Sequence, residues 1–409
     1  MAWNPPLLVQ SYLENHSLEN LREEHGVRSR IARGYKFSLN YDQIEAREDN
    51  ILAQQCRGLV LRTGEGTQIT ETEVVGPTVI LAHPFHRFFN HGQGAAARVN
   101  LDHPETAIFE KLDGTLIILA FDDIQGKWHI STRSVAEADM KVGPWEYTFR
   151  TLFERTILEV AKEPFESWAK RLDQEMTYLF ELCTPYNQVV VQHENFGATL
   201  IGARTTRSGR EWWPDEIAPS LNVPHVQRYR FGNQSEMFEF VRNMNGREQE
   251  GIVACQEVVP GRFCRIKVKN AGYLALNKLS DKIQSPRNVM ELILLEQIDD
   301  ALSIMHEDVK NKTLQWQSKI RHLIFAYNKQ YHRVMNQVTE ACSEPMGSRE
   351  HRKMFAQTAM KEGIWFEPAM AQYSGKAHDV HDFIDQQRSE NGEYKNSFLD
   401  LMLKKVALP

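Results

Sequence analysis

The chain of 409 residues is 42% hydrophobic and 25% charged with a formal charge of −6, which excludes a disordered chain and allows two or three globular domains. From residue 281 onward there are 17 basic and 18 acidic side chains, so neither part is broadly basic and any nucleic acid must be held by local patches. The five cysteines form no C-x-x-C pair, no run of eighteen apolar residues occurs, and the N-terminus lacks a basic stretch followed by an apolar one; a soluble, unprocessed cytoplasmic protein with reduced thiols is expected, with no zinc cluster and no membrane span.

Between about Tyr35 and Tyr273 the sequence reads as short β-rich runs separated by turn signals. In order these are GLVLR, TVILAHPF, IFEKL, TLIILAF, WHIST, TYLFELC, NQVVVQ, ATLIGART, GIVACQEVV and RFCRIKVK. Several alternate, as half-buried antiparallel strands do. One helical segment interrupts them near Trp145 to Ala169, with Phe149, Leu152, Phe153, Ile157 and Val160 at helical spacing. After Tyr273 the texture becomes helical. Ser285-Pro286 is an N-cap followed by a first-turn proline, and a second helix carries Trp316, Ile320, Leu323, Tyr327, Tyr331, Val334 and Val338. The predicted fold class is α+β, an antiparallel-sheet domain over 1–280 followed by an all-helical domain over 281–409.

The run IFEKLDGTLI sets Lys111, Asp113 and Gly114 between two apolar segments. Asp-Gly in that context predicts a hairpin tip, since glycine accepts turn geometry at little steric cost. By itself K-x-D-G recurs by chance. Four further stretches follow it in order: Glu181 ending TYLFELC, Arg204 in LIGART, Glu250-Gly251 opening a strand, and Lys267 with Lys269 in RIKVK. Strand alternation puts Lys267 and Lys269 on one face, with Ile266 and Val268 on the other.

This ordered series resembles the motifs of the covalent nucleotidyltransferases: ATP-dependent DNA and RNA ligases and capping guanylyltransferases. GYKFSLNYD, CRGLVLR and HPFHRFFN further resemble the phage-type RNA ligase 1 family, ATP-dependent enzymes that reseal broken tRNA. The resemblance implies that Lys111 is the nucleophile that carries AMP, and that Glu181 meets the adenosine ribose. It puts Glu250 at the metal and the attacking centre, and Lys267 with Lys269 on the α-phosphate. Asp113 and Gly114 would shape the turn. Arg57, Arg87, Phe89, Glu110, Arg133 and Arg204 complete the implied nucleotide-binding set, and Asp299 with Asp300 would touch a metal through water; a solvated acidic helix face is the plainer reading of that pair. The family usually has lysine where this chain has Arg87, and STRSV lacks the glycine that normally follows the position of Arg133.

The chemistry fits those residue types. A lysine must attack phosphorus as a neutral amine, yet its ordinary pKa is about 10.4. Neighbouring cations and low dielectric lower it, and the same cations offset phosphate charge. The expected activity is ATP-dependent sealing of RNA 5′-phosphate to 3′-hydroxyl ends, with ATP and Mg²⁺ (or Mn²⁺). The expected partners are RNA, tRNA in particular, and a separate end-healing kinase/phosphatase. The protein is expected to be a monomer in the cytoplasm, the host's if viral. A capping guanylyltransferase or DNA ligase is the first alternative, although an OB-fold normally follows K-x-K there. A non-catalytic RNA-binding module is the second. GQGAAA at 92–97 lacks the strand and long helix of a dinucleotide fold. His83, His86 and His91 do not have zinc spacing, and the aromatics at 316, 327 and 331 follow a core stripe.

Overall fold

All but one of the β-rich runs are strands in the computed structural model, which describes residues 6–407 except 33–34, 43–44, 65–66, 70–72, 143–144, 284, 295–297, 299–301, 303–304, 306 and 390–393. The chain divides into two compact units, Met1–Asn277 and Lys278–Pro409.

The first unit is built on three sheets of four or five strands, and a fourth sheet is the two-stranded pair Gln68–Ile69 with Val74–Val75. Strands Val27–Ala32, Lys36–Tyr41, Arg57–Thr63 and Thr78–Ala82 form an antiparallel sheet in that order. The central sheet runs Lys127–Thr132, Thr115–Asp122, Met176–Cys183, Gly197–Thr205 and Glu211–Trp212. TLIILA is continuously apolar because both its faces are covered. Ile117 and Leu119 pack against the helix Phe149–Ala161 and Trp168 on one side. Leu116, Ile118 and Ala120 pack against Val60, Leu81 and Ala82 of the first sheet on the other. The third sheet runs Arg228–Tyr229, Ala107–Lys111, Gly251–Val259, Arg262–Lys269 and Phe89–Asn90. Its last pair, Ile266 with Phe89, is parallel, the exception to an otherwise antiparallel scheme.

Two local expectations fail. IFEKLDGTLI is not a hairpin: Ala107–Lys111 pairs with 228–229 and 251–255, whereas Thr115–Asp122 pairs with 127–132 and 176–183. The three residues between them, 112–114, carry the chain from one sheet to the next. Asp113 is 5% exposed, and its carboxylate accepts the backbone N–H of Val190 (2.8 Å) and Val191 (2.7 Å) and the hydroxyl of Tyr273 (2.7 Å). It is an anchor rather than a solvated tip. The second failure has the same cause. NQVVVQ forms no strand because the amides of Val190 and Val191 are taken by Asp113 in place of a sheet neighbour, and Asn187 turns the chain by accepting from Thr184.

Gly114 is needed for proximity. A Cβ there would overlap the Leu182 carbonyl oxygen and lie 2.8 Å from Cys183 Sγ. We therefore expect Gly114→Ala to push the 111–114 step off the neighbouring strand. A large loss of any adduct formed on Lys111 should accompany it, with a stability cost of about 1–3 kcal/mol, as for other overpacked buried sites. Adduct yield and thermal unfolding measured together test this; parent-like behaviour in both would mean the step relaxes freely.

The second unit is helical in all its described elements. It comprises Pro286–Leu294, Glu307–Ala341, Arg349–Lys361, Phe366–Tyr373, Val380–Asp385 and Asn396–Ala407, around a core that includes Met290, Tyr327, Val334, Phe355 and Met402. Tyr327 and Tyr331 are buried in that core, as the helical stripe predicts. The helix Pro286–Leu294 begins at the proline the sequence marks.

Candidate active site

Three strand ends converge through register. Gly251 lies opposite Lys111 on one neighbour and opposite Lys269 on the other. Glu250, one residue earlier, therefore sits between the two lysines. Its carboxylate is 3% exposed and accepts from Lys111 Nζ at 2.5 Å and Lys269 Nζ at 2.7 Å. Gly251 makes the approach possible: its φ is +148°, and a Cβ there would collide with the Val268 carbonyl. Asn270 closes the end of the strand. Its amide side chain donates to Val241 O and Met244 O, and its side-chain oxygen accepts from the Tyr273 N–H at the start of the helix Ala271–Ile283.

These side chains face a cavity of about 240 Å³. One wall is cationic, with Arg57, Arg133, Arg265, Lys111, Lys267 and Lys269; the acidic groups are Glu110 and Glu181. The apolar and aromatic part of the lining is Phe109, Ile201, Trp213, Val226, Val253 and Phe263. Trp213 stacks on Phe263 with centroids 4.1 Å apart. A flat apolar slot beside a cluster of cations suits a purine joined to phosphates.

Burial and like charge shift two groups into the neutral range. Burial lowers Lys267 to about 7, helped by Arg57, Lys111 and Lys269 and opposed by Glu250. Burial raises Glu181 to about 7, opposed by Lys111 and Arg57 and reinforced by Glu250 and Asp113. Burial also raises Glu110 and lowers Arg57. The Arg57 guanidinium lies 5.4 Å from the Phe88 ring, and its Nη1 is buried without a hydrogen-bond partner. A buried unmatched donor beside this cavity is the arrangement an anionic ligand would satisfy.

The site brings together most of the residues picked from the sequence. Arg57, Glu110, Lys111, Arg133, Glu181, Lys267 and Lys269 all line the cavity, and Glu250 bridges two of its lysines. Asp113 and Gly114 support the strand end from behind. Three others fall elsewhere. Arg87 and Phe89 line a neighbouring cavity, with Arg87 stacked over Tyr41 (4.3 Å) and Phe89 (4.9 Å). Arg204 lines that neighbour too, and its Nε and Nη1 are spent on the carbonyls of Gly209 and Pro84. It is held in the wall of that cavity because these buried carbonyls need donors. Asp299 and Asp300 lie outside the described residues.

Sequence reading missed Tyr41, Phe85, Trp213, Phe263 and Arg265. Tyr41 lies between the guanidinium groups of Arg87 and Arg133 (4.3 and 4.8 Å). Arg265 stacks on Phe85 at 3.8 Å and pairs with Glu211. Carrying the strand alternation back from Lys267 would have reached Arg265 and Phe263. Nothing local marks Trp213.

The charge pattern predicts a pH effect. Below pH 7 Lys267 is an ammonium before any ligand arrives; above it the amine is neutral and Glu181 is ionised, so both changes make the site less hospitable to phosphate. Affinity for α,β-methylene ATP, an uncleavable analogue, is expected to fall roughly tenfold or more per pH unit above 7, tenfold being the slope for uptake of one proton on binding. Lys267→Arg, charged throughout, should make the profile shallower in titration calorimetry, leaving the part due to Glu181. A parent profile level from pH 6 to 9 would show that neither group changes charge on binding.

With the geometry established, comparison with known proteins places the chain. The family model described as RNA ligase matches residues 55–273, the span that holds all the cavity's lining residues except Tyr41. An RNA ligase of Rhodothermus phage RM378 is 25% identical over 438 residues, covering 93% of this chain and 94% of that one. A protein of Autographa californica nuclear polyhedrosis virus, described as a bifunctional polynucleotide kinase/RNA ligase, is 24% identical over 310 residues; these cover 73% of this chain and 42% of the viral protein. Among solved structures, an archaeal ATP-dependent RNA ligase aligns over 84% of this chain and 86% of its own, at 13% identity and a TM-score of 0.42. The chain belongs to the phage-type RNA ligase family whose model it matches over more than half its length.

Proposed function

We propose that this RNA ligase works by three nucleotidyl transfers through Lys111. The Lys111 amine attacks the α-phosphorus of ATP, forming a P–N bond as the bond to pyrophosphate breaks. The AMP then passes to an RNA 5′-phosphate, which restores the lysine. Finally an RNA 3′-hydroxyl attacks that phosphate, sealing the phosphodiester and releasing AMP. The observation that carries this reading is the shared carboxylate: Glu250 holds Lys111 and Lys269 together at the mouth of a purine-sized slot, with Lys267 on the same strand face.

Glu250 also sets the order of events. While it accepts from Lys111, the amine is engaged in an ion pair rather than free to attack. A divalent cation drawn to Glu250 would release it. Among the described residues no group of three His, Cys, Asp or Glu side chains is placed to hold a metal. One buried carboxylate fits Mg²⁺, a hard ion that keeps several waters and binds through phosphate oxygens; Mn²⁺ would fit likewise. When bound, the metal would supply charge neutralisation at the triphosphate.

The substrate in this reading is RNA with 5′-phosphate and 3′-hydroxyl ends, a broken tRNA being the natural case for the family resembled. The ends would be prepared by a kinase/phosphatase on a separate protein, and the ligase would act as a monomer in the cytoplasm, the host's if viral. No described helix is long and apolar enough to cross a membrane. Incubation with Mg²⁺ and α-labelled ATP or GTP tests the proposal: an acid-resistant adduct from ATP is expected, and labelling by GTP alone would overturn it.

A further inference from the structure

Beside the nucleotide slot lies a larger cavity, about 470 Å³, whose chemistry the three transfers above do not use. Five arginines line it, Arg87, Arg204, Arg207, Arg262 and Arg265, and the one carboxylate in its lining is Glu211. Glu211 is already held by Arg204 (3.8 Å) and Arg265. The two histidines in the wall add no charge: burial, together with Arg204, lowers both, His86 to about 3. The result is a concave surface of net positive charge that does not vary near neutral pH and that concentrates anions. Arg207 and Arg262 are exposed at its edge.

The cavity adjoins the site. Phe88, Phe263 and Arg265 line both spaces, and the strand Arg262–Lys269 runs from one to the other. Along that strand Arg262 is roughly 16 Å from Lys267 and roughly 23 Å from Lys269 at about 3.3 Å per residue. A chain of backbone phosphates can follow that whole span. We propose that the arginine-lined cavity holds backbone phosphates of the RNA strand whose end is being joined, several nucleotides from the reacting phosphate. This rests on the ligase reading above, and extends it to where the polymer lies.

The test uses a synthetic 5′-adenylated oligoribonucleotide and an acceptor with a 3′-hydroxyl, which bypass the ATP step, on the full chain. In the Arg207→Ala/Arg262→Ala double variant, KM for the adenylated strand is expected to rise about tenfold with kcat within twofold. The slope of log KM against log salt should become shallower by ~1.4, at ~0.7 per lost phosphate contact in a single strand. The Lys111 adduct from labelled ATP should form at the parent rate, and Arg207→Lys/Arg262→Lys should recover most of the KM. Unchanged KM and salt slope would overturn the proposal. A loss of adduct as large as the loss of sealing would overturn it too, assigning the cavity to the triphosphate tail. If the parent itself cannot seal adenylated RNA, the ligase reading fails and this inference falls with it.

Discussion

Lys111→Ala should form no labelled adduct with ATP. The expected loss is on the order of 10⁶-fold, the scale seen when a covalent enzyme is stripped of its nucleophile. The reason is positional as well as chemical. Lys267 and Lys269 share the cavity lining, but they project from a strand two places away in the sheet, with Gly251–Val259 between it and the strand of Lys111. Neither can reach the geometry that Lys111 presents from the strand that ends at the sheet-to-sheet step. Removing the lysine leaves Glu250 paired with Lys269, so the fold should survive and a thermal melt should remain cooperative. The same variant should still seal an adenylated strand, because that step consumes AMP already attached to RNA. An adduct persisting in Lys111→Ala would mean that another residue is the nucleophile.

Glu250→Ala should damage both stability and chemistry. Its carboxylate neutralises two lysines whose side chains are each 21% exposed, with Lys267 and Arg57 close behind. Breaking a fully buried pair costs about 3–5 kcal/mol; partial exposure of the lysines moves the expectation to about 2–3 kcal/mol. For a unit of this size that lowers Tm by roughly 5 °C or more. Adduct formation should fall by about 10³-fold, as when a group that organises transition-state charge is removed. Glu250→Gln separates the two effects, since it keeps the volume and an acceptor but not the charge. It should recover most of the stability and little of the rate. Parent-like adduct formation in Glu250→Gln would take the carboxylate out of the mechanism.

How much of this was legible in advance differs by residue. Lys111, Glu181, Glu250, Lys267 and Lys269 could be picked because their order along the chain resembles the motif series of the covalent nucleotidyltransferases, and strand alternation put the last two on one face. The cavity that gathers them needed the register, which no local pattern encodes. Lys111 and Lys269 are neighbours because both pair with Gly251, and that pairing is decided by strands 140 residues apart in sequence. Asp113 was misjudged for the same reason. Asp-Gly is a turn signal only when the flanking runs pair with each other, and here each finds a better-buried partner in a different sheet. Its carboxylate then serves Val190, Val191 and Tyr273, which in turn denies strand geometry to NQVVVQ. Arg204 shows the converse: its motif position pointed to nucleotide, but the carbonyls of Gly209 and Pro84 claim its donors.

The sequence by itself determined the class of each segment, β-rich before Tyr273 and helical after it, because side-chain periodicity is local. It also offered candidates for the chemistry, because a nucleophilic lysine, its carboxylates and its phosphate-facing lysines must be of those types. Only the tertiary structure decided what they do to one another. It set one carboxylate between two lysines, pulled Lys267 and Glu181 toward neutrality through burial and neighbouring charge, and opened an arginine-lined cavity beside the slot. Those properties depend on distance and desolvation, and both are created only when strands far apart in the chain are brought into register.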